Sequence, residues 1–213
     1  MKKLFLLVAV LTAMGTVAQA GILNGDFALG ETFWTQWRAP WGSTESWAVT
    51  NNGPSAPEGT LSLTGSGSFG WYQVFECPVG YTATLNGQWT GNLGGAGWAE
   101  LMLFSVAPGT DAATIVNRID TGAAGDIAFK KDSWGLNPPA SWDWQTAGLS
   151  PLPAGNGGMI TSQGWVVVGV KLGSGGGAAS LSVDNLTSCI VPEPASILAL
   201  SMGLGGLLIR RKR

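Results

Sequence analysis

The sequence of 213 residues predicts an all-β protein, an antiparallel β-sandwich flanked by an N-terminal signal peptide and a short C-terminal transmembrane helix. Three observations support this fold class. Short alternating or β-rich runs recur along the middle of the chain, Gly, Pro and Asn separate them, and no stretch there has a convincing helical period. About 170 residues lie between the two apolar ends, a length that suits one domain with a substantial core.

The first 20 residues have the three parts of a secretory signal peptide. Lys2 and Lys3 supply the positive start, residues 4–14 the apolar run, and residues 18–20 (Ala-Gln-Ala) the cleavage site. The alternative is an uncleaved membrane anchor, for which the apolar run is short. We therefore expect export, with a mature chain that begins near Gly21.

Seven runs in the middle of the chain have the composition of strands. In the second of them, Trp71 and Phe75 share one face while Tyr72 and Val74 share the other, as a period of two requires. Short strands with turn signals between them indicate two antiparallel sheets packed face to face. The seven runs are residues 61–65, 70–78, 81–89, 98–106, 114–119, 164–173 and 178–188.

Residues 122–163 are rich in turn formers and aromatic residues, so we expect long loops with at most a strand near Trp142. Long loops on a sandwich often carry function. Trp142 and Trp144 alternate with Asp143, and exposed indole faces stack on sugar rings while a carboxylate accepts hydroxyl hydrogen bonds. These three residues are the candidate glycan-binding site. The alternative is that the tryptophans anchor the loops or fill the core.

The charge and composition exclude several classes of function. The chain contains no histidine, so Ser-His-Asp, Cys-His and histidine-metal chemistry are excluded. Between residues 21 and 190 there are five basic and 12 acidic residues, a net charge of −7, which argues against nucleic acid as a partner. No spacing identifies a catalytic pair of carboxylates. We therefore expect no enzymatic activity.

Cys77 and Cys189 are the two cysteines of the chain. In an exported protein they are most simply interpreted as one disulfide. Two buried thiols are the alternative, and geometry decides between the two.

The C-terminal segment combines a short apolar run with a basic end. Residues 195–209 are 15 uncharged, mostly apolar residues. As a helix they would reach about 22 Å, against about 30 Å for the hydrocarbon core, which is marginal for a permanent span. The positive-inside rule places the four cations that follow on the cytoplasmic side. They are Arg210, Arg211, Lys212 and Arg213.

Several short motifs resemble the galactose-binding-like, carbohydrate-binding-module type of jelly roll. They are an opening Asn-Gly-Asp-Phe, an aromatic-Gln-hydrophobic strand, a Pro-x-Gly turn, a Tyr-Thr-x-x-Leu strand and a closing Asp-Asn strand. Such domains begin with a strand at the first motif. The resemblance covers most of residues 22–188 and implies a jelly roll. The motifs lie at residues 24–27, 71–75, 78–80, 81–85 and 183–186.

The same resemblance implies a structural calcium between the first and last strands, held by Asp26 and Asp184 with help from Glu31 and backbone carbonyls. Oxygen ligands of this kind suit calcium. One departure is Ala28, where many relatives have an acidic residue after the phenylalanine. The alternative is that Asp26 and Asp184 fix turns through hydrogen bonds to the backbone. No other cofactor is expected.

The last 23 residues resemble the PEP-CTERM sorting signal of Gram-negative bacteria. The resemblance makes Pro192, Glu193 and Pro194 the recognition motif, residues 195–209 a transient membrane anchor, and residues 210–213 the stop-transfer patch. It implies an exosortase as partner, which removes the tail and passes the protein to the cell surface or the extracellular matrix. The alternative is an ordinary C-terminal membrane anchor.

The expected organisation is therefore a signal peptide (1–20), a β-sandwich ectodomain (21–190) and a sorting signal (191–213). Two functions remain open. The first is a surface or matrix protein whose jelly roll binds polysaccharide, such as the exopolysaccharide of the producing cell. The second is a structural or adhesive surface protein with no sugar site.

Overall fold

The computed structural model describes residues 21–42, 44–53, 56–94, 96–121, 129–132, 141–146, 159–160 and 162–192. Residues 1–20, the predicted signal peptide, and residues 193–213 of the predicted sorting signal lie outside this part of the chain. Among the described residues, no helix has the length and apolar character needed to cross a membrane.

The described residues form nine strands and one helix, and every strand pairing is antiparallel. Two of the strands are long, and each merges two of the expected strands into one. The elements are β1 (Thr35–Arg38), β2 (Thr44–Thr50), β3 (Glu58–Glu76), β4 (Tyr81–Asn92), β5 (Gly97–Val106), α1 (Ala112–Thr121), β6 (Phe129–Asp132), β7 (Ser141–Thr146), β8 (Met159–Ile160) and β9 (Trp165–Pro192).

The two long strands, β3 and β9, pair with each other along almost their whole length and belong to both halves of the sandwich. Their pairing shifts register between Thr64 and Ser66, opposite the glycines at positions 175–177. Gly176 and Gly177 have positive φ, which L side chains rarely adopt, so glycine permits the bend here. Each long strand therefore runs through one half, bends, and continues into the other.

We call the two halves sheet A and sheet B. Sheet A has the order β6, β5, residues 165–174 of β9, residues 66–76 of β3, and β1. Sheet B has β4 next to residues 178–192 of β9, then residues 58–64 of β3, then β2. The two short strands β7 and β8 pair with β4 on its other side.

One apolar core joins the two sheets, and its members alternate along each strand. In β5, Ala99, Leu101 and Leu103 point into this core, whereas Met102 and Phe104 point to the opposite side of sheet A. Because both sheets contribute to the core, the two halves face each other as the layers of a sandwich. The expected antiparallel β-sandwich is confirmed. The largest fully buried side chains of the core are Trp71, Trp89, Phe27, Phe69, Leu61 and Leu63.

The expected strand over residues 114–119 is wrong, because this segment lies within α1. Ile115 and Ile119 are one helical turn apart, and both are buried in a second apolar cluster on the outer side of sheet A. Asp111 caps the helix, since its carboxylate accepts hydrogen bonds from the Thr114 amide (2.9 Å) and hydroxyl (2.8 Å). These bonds lower the pKa of Asp111. The β-branched residues favour a strand locally, but the cap and the packing outweigh that propensity.

The opening motif forms turns rather than the strand that the resemblance implies, and the first strand begins at Thr35. The Asn24 side chain organises these turns, because it accepts from Leu29 N (2.8 Å) and donates to Gly30 O (2.8 Å). Phe27 enters the core and stacks on Trp34, with ring centroids 5.5 Å apart. We call residues 24–34 the plug, because their Phe27 and Trp34 side chains are inserted into the core of the sandwich.

Candidate functional site

A polar groove of about 400 Å³ lies on the outer face of sheet B. Three strands line it with small polar side chains, apart from one glycine. The lining residues are Thr90, Gly91, Asn92, Ser141, Asp143, Ser180 and Ser182.

The strand register places these side chains in rows across the sheet. Thr90 lies opposite Ser182 on β9, and Asn92 lies opposite both Ser180 on β9 and Ser141 on β7. Residues directly opposite each other share a face, so the side chains of three strands converge on one patch. The residues between them, such as Leu181 and Val183, are buried in the core.

Hydrogen bonds hold the hydroxyl groups beside the groove. The Ser182 and Thr60 hydroxyl oxygens are 2.9 Å apart, and Thr60 Oγ1 is 2.8 Å from Thr50 Oγ1. The row ends at the buried Glu58, whose carboxylate accepts from the Thr50 hydroxyl (2.5 Å) and from Gly53 N (2.7 Å). The row gives the Ser182 hydroxyl a fixed partner on the side away from the groove.

The structure places part of the predicted glycan site in this groove. Residues 141–146 form β7, as the expected strand near Trp142 requires. Asp143 is exposed and lines the groove, and Trp144 is half-buried. Trp142 lies opposite Gly91 in the strand register, and its side chain lies outside the described residues. The role of these three residues in binding sugar stays a prediction.

Sequence reasoning missed the serine and threonine residues of the groove, although a signal for them was present. In β3 and β9, polar residues alternate with core leucines and valines, as in Ser180-Leu181-Ser182-Val183. Such alternation predicts one buried and one solvated face. It could not show that β4 and β7 add to the same face, because strand order is not visible in the sequence.

The groove offers donors and acceptors of hydrogen bonds with little charge. Asp143 is the one carboxylate among its lining residues, and the other polar groups are hydroxyls and an amide. Neutral polar groups of this kind suit a ligand that is itself rich in hydroxyls.

The two aspartates of the implied calcium site make local hydrogen bonds. Asp26 is exposed and accepts from the amide of Ala28 (3.2 Å), as in a turn. Asp184 is fully buried and accepts from both the backbone amide (2.6 Å) and the side-chain amide (3.2 Å) of Asn185. Across the described part of the chain, no group of three or more Cys, Asp or Glu side chains could hold a metal ion. Both contacts are of the turn-fixing kind that the alternative implies, and calcium binding stays a prediction.

The other predicted site residues are the two cysteines, the motif at residues 192–194 and the four cations at residues 210–213. Cys77 follows β3 and is fully buried, and the side chain of Cys189, on β9, lies outside the described residues. The disulfide therefore stays a prediction. Pro192 ends β9 opposite Tyr81, while Glu193, Pro194, Arg210, Arg211, Lys212 and Arg213 lie outside the described residues.

Two further titratable groups have shifted pKa values, and neither lines the groove. Burial raises the pKa of Glu45, and the positive charge of Arg38 partly offsets this effect. Burial also raises the pKa of Tyr72, with a smaller opposing effect from its hydrogen bond with Thr35.

No protein-family model and no curated protein matches the chain. Among solved structures, it is similar to the carbohydrate-binding module TmCBM61, solved in complex with β-1,4-galactotriose, with 15% identity, coverage of 81% of this chain and 97% of that chain, and a TM-score of 0.46. The family 11 carbohydrate-binding module of the cellulosomal cellulase Lic26A-Cel5E of Clostridium thermocellum has 14% identity, coverage of 84% and 98%, and a TM-score of 0.44. A cyclase from Fischerella sp. TAU, in complex with 4-(1H-indol-3-yl)butan-2-one, has 11% identity, coverage of 83% and 98%, and a TM-score of 0.47. Because these TM-scores are below 0.5, the similarities do not indicate a ligand for this chain. The β-sandwich is identified from the strand pairing of the structure itself.

Proposed function

We propose that the chain is an exported, non-catalytic protein of the cell surface or extracellular matrix that binds polysaccharide through the groove of sheet B. It reaches that location through its signal peptide and its PEP-CTERM-like sorting signal, with an exosortase as the sorting partner. The observation that carries the binding proposal is the groove itself. Its hydroxyls, its amide and the Asp143 carboxylate match the hydroxyl groups of a sugar chain.

The dimensions of the groove support this proposal. Ligand sites of proteins commonly have volumes of about 300–1,000 Å³, and the groove has about 400 Å³. It is open along the sheet, so a polymer can lie across the strands without threading through the protein. Hydrolysis by two carboxylates is not proposed, because Asp143 is the one carboxylate among the described lining residues.

The end of the sandwich supports the sorting proposal. β9 pairs with β4 up to Pro192, the first residue of the motif, and the core residues of the described sandwich lie between residues 22 and 190. Removal of the tail after the motif would therefore leave the sandwich intact. This is what a removable C-terminal anchor requires.

Retention on immobilised exopolysaccharide from the producing bacterium tests the binding proposal. We expect Asp143→Ala with Asn92→Ala to weaken retention about tenfold or more, since hydrogen bonds to a charged group contribute about 1.5–3 kcal/mol. The control is Glu76→Ala with Asn117→Ala, which removes one exposed acid and one exposed amide elsewhere and should leave retention unchanged. Equal retention by the groove variant and the wild type would contradict the proposed site.

The second candidate is a structural or adhesive surface protein with no sugar site. Its supporting observation is that half-buried Trp144 could anchor β7 rather than contact a ligand. If the wild-type domain retains no polysaccharide, while Trp144→Ala lowers its melting temperature, this second function is the correct one.

A further inference from the structure

The last described residue of the sandwich is Pro192. Pro192 is still paired with Tyr81, at the beginning of β4, and only Glu193 and Pro194 separate it from the apolar residues 195–209. Three residues of fully extended chain span at most about 11 Å. Any membrane that holds residues 195–209 therefore lies within that distance of the end of β9.

The turn that precedes β4 lies at this end, which we call the exit end. The turn at residues 78–80 joins β3 to β4 and is closed by a hydrogen bond from Tyr81 N to Pro78 O (3.2 Å). The N-terminal segment runs beside β9, since Leu186 N donates to Gly25 O (2.9 Å). A Cβ atom at Gly21 would lie 3.2 Å from the carbonyl oxygen of Ser188, four residues before Pro192.

The turn at this end exposes an apolar side chain, since Val79 is 64% exposed. Leu23 is exposed as well (54%), but it lies at the level of Gln73, three residues before the end of β3. Its N–H donates to Gln73 Oε1 (3.0 Å) and its carbonyl accepts from Gln73 Nε2 (2.7 Å). Glu76, also exposed, precedes the turn and is repelled by anionic lipid, so the force that holds this end is the tether together with the Val79 side chain.

We infer that the exit end rests on the surface of the lipid bilayer while the C-terminal segment is inserted, with Val79 at the headgroup level. This inference rests on the anchoring in the proposed function. The groove lies at the other end of the strands, since β4 runs from Tyr81 at the exit end to Asn92 in the groove, a distance of about 36 Å. The anchored protein thus presents its groove away from the membrane.

Depth-dependent quenching tests the inference. Val79→Cys, at the exit end, and Ala178→Cys, at the exposed far end opposite Thr64, are each labelled with an environment-sensitive fluorophore in the chain without its signal peptide. The proteins are reconstituted into vesicles of phosphatidylethanolamine and phosphatidylglycerol that carry a nitroxide on the lipid headgroups. The unsubstituted chain, labelled in the same way, gives the background from Cys77 and Cys189.

We expect strong loss of fluorescence for the label at position 79 and little loss at position 178, because only the first lies within reach of the headgroups. If the protein floats with the vesicles but both labels are quenched equally, the proposed orientation is wrong, whereas the proposed membrane anchor is supported. Protein that fails to float would overturn the anchor and, with it, the orientation. Val79→Cys without residues 195–213 should lose both flotation and quenching. Flotation by that variant would show that the tether does not position the domain.

Discussion

Phe27 and Phe33 show how two chemically identical residues of one segment have different roles. Both have positive φ (53° and 74°), which is uncommon for a non-glycine residue. Phe27 is fully buried and stacked on Trp34, whereas Phe33 is 55% exposed. Core packing therefore offsets the energetic cost of the positive φ at Phe27, whereas Phe33 has no such packing.

Replacement of Phe27 by Ala should lower the free energy of unfolding by about 3–5 kcal/mol, because it leaves a cavity between Trp34 and Trp71. The matched control, Phe33→Ala, should change it by about 0.5 kcal/mol or less. Urea denaturation followed by tryptophan fluorescence measures both values. Equal losses for the two variants would show that the plug is not anchored through Phe27.

At the level of single residues, the sequence singled out Asp143, which lines the groove, and the Asn-Gly-Asp-Phe motif. The resemblance implied a strand at this motif, whereas the structure has turns there. The choice depends on Gly25, where a Cβ atom would come within 1.8 Å of the carbonyl oxygen of Leu186. That contact joins positions 161 residues apart in sequence, so no local pattern could reveal it.

At the level of elements, a buried ion pair fastens α1 to sheet A. Lys171 Nζ lies 3.2 Å from Glu100 Oε2, and both side chains are almost fully buried. The same ammonium group donates to the carbonyl oxygens of Ile119 (3.3 Å) and Asp120 (2.6 Å) in the last turn of α1. A cation suits this position, because the last carbonyls of a helix carry a partial negative charge.

Replacement of Lys171 by Met should lower the free energy of unfolding by about 3–5 kcal/mol, since it leaves the Glu100 carboxylate buried without its cation. Addition of Glu100→Gln to that variant should recover part of the loss, because the unpaired charge is then removed. Chemical denaturation of the two single variants and the double variant measures the coupling. Additive losses would mean that the ion pair contributes nothing of its own.

The elements were predictable where periodicity was clear and the pairing partner did not matter. The antiparallel sandwich and six of the seven expected strands with their alternation follow from residues such as Trp71 and Leu101. The sequence did not reveal that β3 and β9 are each one continuous strand, because the glycines at the bend have the pattern of a turn between two separate strands. The helix α1 was not predictable either. Thr114, Ile115 and Val116 have a high strand propensity, and the helix is favoured because its apolar face packs on Met102 and Phe104 of β5.

At the level of the whole molecule, the described sandwich extends to Pro192, and its core residues lie between residues 22 and 190. Deletion of residues 195–213 should therefore leave the melting temperature of the domain unchanged and move the protein from the membrane fraction into the medium. Cell fractionation and immunoblotting measure the shift. Continued membrane association after the deletion would contradict the proposed anchor.

A second variant separates anchoring from sorting. Glu193→Ala keeps the apolar segment and the basic end but changes the motif between its two prolines. It should stay in the membrane with its tail intact, because recognition is lost while insertion is kept. Normal transfer of this variant to the surface would show that the motif is not what the sorting partner recognises.

The shared strand β9 also determines how the sandwich would bear mechanical load. In the proposed function, a pull would act between a polymer in the groove and the anchor that follows Pro192. β9 connects the two positions, and from residue 180 to Pro192 it lies beside β4 with the hydrogen bonds perpendicular to the strand. A pull along β9 would therefore strain many hydrogen bonds at once in shear instead of opening them one after another. The strand that ends at Pro192 is thus the part of the fold best placed to resist such a pull.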